Sequence, residues 1–129
     1  MDVDAVLIVL WDERAGPRVL GSVPREIVVP RETLFQIYLN HHDATEPGFT
    51  SMANEKGSIT SYFFGQDSPY YIVILANPDF SLDGNEYRLR IAAEEFGIWI
   101  SQGEDRSDAF FQLNIQRLYD LLVNESEYD

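Results

Sequence analysis

The sequence predicts a three-layer α/β/α domain in which a five-stranded mixed sheet lies between helices on both faces. Residues 4–11 and 70–76 are nearly continuous runs of apolar side chains, many of them β-branched. Runs of this kind form central strands that are buried on both faces, so both faces need a cover. Three amphipathic segments can supply it: residues 30–42, 86–101 and 107–123.

The first strand leads into WDERAGPRVLGSVP, residues 11–24, which becomes polar and then apolar again. The polar part predicts a turn. Pro17 predicts the start of a second strand at 17–23, because proline cannot donate to a strand ladder and suits a sheet edge. We therefore expect a hairpin with strand 17–23 outermost. The alternative is a loop that holds an anionic ligand, for which only Arg14 and Arg18 are basic neighbours.

A helix and a meander follow the hairpin. Pro30 opens the helix, since the first helical turn tolerates proline best, and the helical spacing continues to His42. Two shorter strands, at 49–53 and 58–64, then lead through turns into strand 70–76. The face of the helix that is expected to meet the sheet carries Leu34, Ile37, Tyr38 and His41.

Two further helices end the domain. The first carries Gly97 in its interior, where glycine costs up to about 1 kcal/mol relative to alanine, so we expect this helix to approach the sheet closely there. Ser107 or Asp108 can cap the second helix. We therefore expect residues 1–123 to form a single domain and residues 124–129 to form an acidic, flexible tail. The expected core residues are Val6, Ile8, Leu10, Ile72, Ile74, Phe96 and Leu118.

The element order β-β-α-β-β-β-α-α predicts the spatial strand order 2-1-5-4-3. Strands 4–11 and 70–76 are the most apolar, so we expect them side by side in the middle of the sheet. Because a crossover joins them, we also expect them to run parallel. Helix 30–42 should cover one face, and the two C-terminal helices should cover the other.

The chain is strongly acidic, with a net charge of −13 and only nine lysine and arginine residues. Binding to nucleic acid or to an anionic membrane needs clustered basic side chains, so we expect neither. The absence of cysteine excludes disulfides and thiolate metal sites. The N-terminal apolar run has seven residues, far fewer than the roughly 20 of a membrane helix, and no basic signal segment precedes it. We expect a cytoplasmic protein without membrane insertion.

No sequence pattern for nucleotide or acyl chemistry is present, since GxxxxGKS/T, GxGxxG and GxSxG are all absent. His41 and His42 are the only histidines, and adjacent helical side chains point about 100° apart. These residues could form a metal site with Asp43 and Glu46, but a cluster of polar side chains at the end of the helix is the favoured interpretation. The aromatic residues of the last two strands indicate cross-strand packing rather than a ligand pocket. We expect no catalytic residue, no metal and no cofactor.

The element order and the opening WDERAGPRVL resemble the longin domain, the profilin-like module of SNARE N-termini, adaptor subunits and tethering complexes. The hairpin is also similar to that of roadblock proteins, whose fold starts with an additional helix. The resemblance extends from Val3 to Val123 and is closest to stand-alone longin-like proteins of archaea. Because nothing follows residue 129, we do not expect the coiled coil and membrane anchor of SNARE longins.

The resemblance implies a non-enzymatic platform that dimerises, with itself or with a second longin or roadblock domain. It also implies binding or regulation of a small Ras-like GTPase in a trafficking-like or polarity-like system. In this sequence the unpaired edge of strand 17–23 and helix 30–42 would form the contact, and negative charge would steer a basic partner. Trp11 would either pack at the core edge or anchor an interface. The residues expected to bind a partner are Arg18, Val19, Leu20, Val23, Phe35, Tyr38 and Leu39.

Two alternatives remain for the function. The first is a profilin-like sensor of small molecules, which needs a polar-lined cavity, whereas the strands of this chain are uniformly apolar. The second is a scaffold subunit of a larger complex that makes no GTPase contact.

Overall fold

Five strands and three helices make up the computed structural model, which describes residues 3–80, 82, 84–103 and 106–124. The end of the expected acidic tail, from residue 125 onwards, lies outside the described residues. The elements are β1 (Ala5–Asp12), β2 (Gly16–Val23), α1 (Arg31–His41), β3 (Gly48–Asn54), β4 (Gly57–Phe63), β5 (Tyr70–Ala76), α2 (Glu86–Gln102) and α3 (Asp108–Asn124).

The strands form one sheet in the order β2-β1-β5-β4-β3, as expected from the sequence. Every neighbouring pair is antiparallel, so the expected mixed sheet with β1 and β5 parallel is wrong. In the β1–β5 pair, Leu7 lies opposite Val73. The reason is the path of the chain. The crossover through α1 joins β2 to β3, which run in the same direction at opposite edges. Two hairpin turns then bring β5 back antiparallel to β1.

The two faces of the sheet carry separate cores. Val6 and Ile8 of β1 pack on one face against α2 and α3, while Leu7 and Val9 pack on the other face against α1. The domain is therefore a three-layer α/β/α arrangement with one helix on one face and two on the other. Of the expected core residues, Leu10 is only partly buried, and six are buried: Val6, Ile8, Ile72, Ile74, Phe96 and Leu118.

The cover on the two faces is unequal. Helices α2 and α3 have 17 residues each, whereas α1 has 11 residues and buries only Leu34, Ile37 and His41. At 1.5 Å per residue, α1 is roughly 17 Å long, which is shorter than the width of five strands spaced about 4.8 Å apart. The margins of the face beneath α1 are therefore thinly covered.

The local features expected of α2 and α3 are present. A Cβ atom at Gly97 would lie 3.1 Å from the Phe64 ring, so the glycine allows α2 to pack closely on the residue that follows β4. The side chain of Ser107 caps α3, because its Oγ accepts a hydrogen bond from the Phe110 N–H at 3.2 Å. None of the three described helices is long and apolar enough to cross a membrane.

Strand β2 lies at a sheet edge, but its backbone is not free along its whole length. The Ser22 N–H donates to Oε1 of Gln112 at 3.1 Å, and Nε2 of Gln112 donates to the Ser22 carbonyl at 2.6 Å. The side-chain amide thus takes the place of a neighbouring strand. The expectation of an unpaired edge is therefore wrong at Ser22, and another chain could pair there only by displacing Gln112.

Phe96 tests the core between the sheet and α2. Its side chain is fully buried, so Phe96→Ala should lower the free energy of unfolding by about 3–5 kcal/mol. Ile98→Ala is the matched control on the same helix, because Ile98 is exposed, and it should cost less than about 1 kcal/mol. Urea denaturation measures both. A loss below 1 kcal/mol for Phe96→Ala would contradict this packing.

Candidate functional site

The residues expected to bind a partner lie on two opposite faces of the sheet. Leu20 and Val23 pack into the core beneath α3, and Arg18 approaches Asp108 of α3 to 4.0 Å. Leu20 is buried, so it cannot contact a partner, which corrects the expectation from the sequence. The cause is an irregularity in the β1–β2 register: Val9 pairs with Val19 and Ile8 with Gly21, which leaves Leu20 as an extra residue.

The remaining expected residues lie on the side of α1. Val19, Phe35 and Leu39 are exposed, with exposed fractions of 41%, 38% and 59%, and Tyr38 is half-buried. Together with the half-buried Trp11, these residues form what we call the α1 surface. It combines apolar side chains of a helix, of an edge strand and of the end of β1.

Aromatic contacts hold the α1 surface together. The Trp11 ring stacks on Tyr38 with the ring centroids 3.7 Å apart and the planes inclined by 4°. Phe35 meets Trp11 edge-on at 5.2 Å. Aromatic pairs of this kind add about 0.5–1.5 kcal/mol each beyond the area that they bury. Trp11 therefore packs at the edge of the core and also remains partly accessible to a partner.

The hairpin turn is held in place by its own side chains and by α1. Asp12 accepts hydrogen bonds from the backbone N–H groups of Arg14 and Ala15, at 2.7 and 2.9 Å, and these bonds lower the pKa of its carboxyl. Arg31 of α1 donates to the Ala15 carbonyl. Gly16 adopts a φ of +84°, and a Cβ atom there would lie 2.6 Å from the Arg31 guanidinium. The turn is thus built as a structural hairpin, not as an anion-binding loop.

His41 forms a buried polar cluster under the end of α1. Its side chain is only 3% exposed. Nε2 hydrogen-bonds with the Ser61 hydroxyl at 2.9 Å and lies 3.3 Å from the Thr50 hydroxyl, and these two hydroxyls are 2.9 Å apart. Burial lowers the pKa of His41, although the contact with Ser61 acts in the opposite direction. The ring is therefore neutral at pH 7.

This cluster does not have the features of a reactive centre. Ser61 is buried, so a substrate cannot reach its hydroxyl. The His41 ring is bonded to hydroxyl groups rather than to a carboxylate that would orient it as a general base. The neighbouring His42 points into solvent, 3.3 Å from Asp43. Within the described part of the chain, no group of three or more His, Asp or Glu side chains could hold a metal ion.

A cavity of about 380 Å³ opens beside the α1 surface. It lies between the C-terminal end of α1, the hairpin turn and the loop that joins β4 to β5. Its wall combines aromatic rings with polar groups of the loops. The lining residues are Trp11, Glu13, Tyr38, His41, His42, Asp43, Ala44, Thr45, Phe63, Gln66, Asp67, Ser68, Pro69 and Tyr71.

The sequence did not reveal this cavity. Phe63 and Tyr71 do pack across neighbouring strands, with ring centroids 5.5 Å apart, as the aromatic pattern indicates. The expectation that apolar strands leave no polar-lined cavity is wrong, because the loops at the ends of the strands supply polar groups. Acidic residues in three separate loop segments were the only sequence feature that could have indicated the cavity. These segments are far apart in the sequence and come together only in the fold.

Exposure alone does not distinguish the α1 surface. Leu113 on α3 is 64% exposed, slightly more than Leu39. On α2, Tyr87, Ile91 and Ile98 also face solvent, interspersed with the charged residues of that helix. The α1 surface differs because its exposed side chains adjoin a half-buried aromatic cluster and a sheet edge, and contiguous apolar surface marks interaction sites more often than scattered apolar residues do.

Comparisons with known protein families, with curated proteins and with solved structures found no match for this chain. The function is therefore inferred from the fold and from the geometry around α1.

The pKa of His41 predicts how stability depends on pH. The ordinary value is 6.5, and burial lowers it in the folded state. As the pH falls below 6.5, the unfolded chain binds a proton that the folded chain does not, so stability decreases until the pH has passed the folded pKa. Above pH 6.5 the contribution of His41 to the free energy of unfolding is fully present. Tyr71, whose pKa burial raises to about 12, does not titrate in this range.

We expect His41→Gln to reduce the slope of unfolding free energy against pH at pH values below 6.5. Asn40→Gln is the control, because Asn40 is exposed on the same helix and its side chain does not titrate, so it should leave the slope as in the parent protein. Urea denaturation at a series of pH values measures all three proteins. An equal slope for His41→Gln and the parent would show that His41 titrates alike in both states.

Proposed function

We propose that this chain is a non-enzymatic, longin-type interaction domain that binds a small Ras-like GTPase through the α1 surface. The observation that carries the proposal is the aromatic cluster of Trp11, Tyr38 and Phe35, which lies beside the exposed Leu39 on α1 and the exposed Val19 at the sheet edge. Large apolar and aromatic side chains are the residue types that dominate interface energetics. A monomer gains nothing from presenting them together to water.

The fold and the charge support the same proposal. The strand order, with one helix on one face and two on the other, supports the resemblance to longin domains. A net charge of −13 would steer a partner that carries a basic patch and would raise the rate of encounter. The proposed setting is a trafficking-like or polarity-like system in the cytoplasm.

We also propose that the domain dimerises, with a second copy or with a second longin or roadblock domain. Sheet extension across β2 would have to displace Gln112 from Ser22. Packing of α1 against its counterpart would displace no such bond and would bury Leu39, so a dimer formed in this way would compete with the GTPase for the α1 surface. Two copies repel each other at −13 each, so the dimer should strengthen with added salt.

Binding to small GTPases encoded by the same genome tests the proposal. Each GTPase is presented as the GDP form, as the form with a non-hydrolysable GTP analogue and without nucleotide, and its affinity for the domain is measured. We expect binding in at least one state, and Leu39→Glu should weaken it about tenfold or more, since about 1.4 kcal/mol corresponds to tenfold.

Leu113→Glu is the matched control, because it makes the same change at an equally exposed leucine on the opposite side of the domain. It should leave the affinity for the GTPase unchanged.

Light scattering at low and high salt measures the mass of the domain, and hence dimer formation, with the same two variants. Leu39→Glu should give a monomer, whereas Leu113→Glu should not. The absence of binding in every nucleotide state, or an equal loss with Leu113→Glu, would refute the proposed GTPase contact.

A further inference from the structure

The cavity beside α1 has the dimensions of a small-ligand site. Its volume of about 380 Å³ lies within the range of roughly 300–1,000 Å³ that ligand pockets occupy. Every segment that forms it belongs to the described part of the chain. It adjoins the α1 surface through Trp11 and Tyr38, but most of its wall is formed by residues outside that surface.

The charge of the cavity wall is of one sign. Glu13 lies in the hairpin turn, Asp43 follows α1, and Asp67 lies in the loop between β4 and β5. Neither lysine nor arginine is among the lining residues. Three exposed carboxylates from three segments therefore border the cavity. The nearest basic side chain of the lining is His42, which contacts Asp43 at 3.3 Å. The surplus of carboxylates would repel an anionic ligand.

The aromatic part of the wall adds a second, independent preference. Trp11 and Tyr38 are stacked on one another and half-buried, so they carry the accessible aromatic surface of the cavity. Phe63 and Tyr71 are buried around the His41 ring, at 5.6 and 5.5 Å. Aromatic rings attract organic cations that lie over an accessible face. His41 does not oppose this attraction, because the burial that lowers its pKa keeps it neutral.

The lining also offers hydrogen-bond acceptors. Besides the carboxylates, Thr45, Gln66 and Ser68 line the cavity with hydroxyl and amide oxygens. A planar guanidinium satisfies both halves of such a wall, since it stacks on aromatic rings and donates in a fork to carboxylates. A quaternary ammonium could use the rings but could not donate a hydrogen bond to the acceptors.

We propose that this cavity binds a guanidinium group. This inference goes beyond the proposed GTPase contact and does not depend on it. The guanidinium can belong to a free small molecule or to an arginine side chain of a protein that docks on the α1 surface. Both sources present the same chemistry to the cavity, so the test separates them.

The probe is N-acetyl-arginine amide, and its control is N-acetyl-citrulline amide, which has nearly the same shape without the charge. Binding is measured at pH 8 by calorimetry and by amide chemical shifts of the labelled domain. We expect the arginine amide to bind at least about tenfold more tightly than the citrulline amide, with shift changes confined to the cavity lining. Equal binding of the two probes, or no saturable binding of the arginine amide, would overturn the proposal.

Variants localise the site. Asp43→Asn and Asp67→Asn each remove one charge from the cavity at nearly constant shape, and each should weaken arginine-amide binding about threefold or more. Asp120→Asn makes the same change on α3, where Asp120 contacts Gln116 at 3.0 Å, and should have no effect. An equal loss in all three variants would mean that only the net charge attracts the probe, and would overturn the proposal.

Leu39→Glu tests whether the cavity is independent of the α1 surface, because Leu39 belongs to that surface but does not line the cavity. We expect unchanged binding of the arginine amide to this variant. Loss of that binding would show that the cavity is not an independent site and would overturn the proposal as stated. Free arginine separates the two sources of the guanidinium: binding at least as tight as that of the arginine amide supports a free small molecule, and a preference for the amide supports an arginine within a protein chain. Failure of GTPase binding leaves these measurements unaffected.

Discussion

The two central strands β1 and β5 are buried on both faces, and the sheet therefore needs a helical layer on each side. On one side α2 and α3 supply a broad cover, with Phe96 and Leu118 fully enclosed. On the other side a single helix of 11 residues covers the apolar face of the sheet. Because α1 covers this face of the sheet incompletely, aromatic and polar side chains lie around the helix. Aromatic rings extend the core beyond the helix, and the hydroxyls of Thr50 in β3 and Ser61 in β4 hydrogen-bond with His41.

The thin cover also explains why both proposed activities lie on the α1 side. Where the helix ends, the sheet is bordered by loops, and a cavity remains between them. Where the helix faces solvent, Phe35 and Leu39 have no layer above them. Trp11 belongs to both regions, since it stacks on Tyr38 within the α1 surface and lines the cavity. A partner on the surface and a ligand in the cavity would therefore both alter the environment of this one ring.

Sequence reasoning identified the features that short-range patterns determine. Element types, the two cores and the edge position of β2 follow from the periodicity of apolar residues. The direction of β5 was missed because it depends on how many times the chain reverses after α1. The burial of Leu20 was missed because an irregular register breaks strict alternation. The contact of Gln112 with Ser22 joins residues 90 positions apart, so no local pattern could indicate it, and the cavity likewise exists only once three separate loops meet.

The most direct test of the account uses the two tryptophans of the chain, because they lie on opposite faces of the sheet. Trp11 is on the α1 side, and Trp99 of α2 lies beneath the Arg117 guanidinium, 3.9 Å from its ring centroid. In Trp99→Phe the only tryptophan is Trp11, and the Trp99 signal is the difference between the parent protein and Trp99→Phe, so neither protein alters the α1 surface. The tryptophan fluorescence of both proteins is measured as the GTPase or N-acetyl-arginine amide is added. We expect the emission of Trp11 to change and that of Trp99 to stay constant. A response of Trp99 with a silent Trp11 would place the functional face on the side of α2 and α3 and would contradict the account.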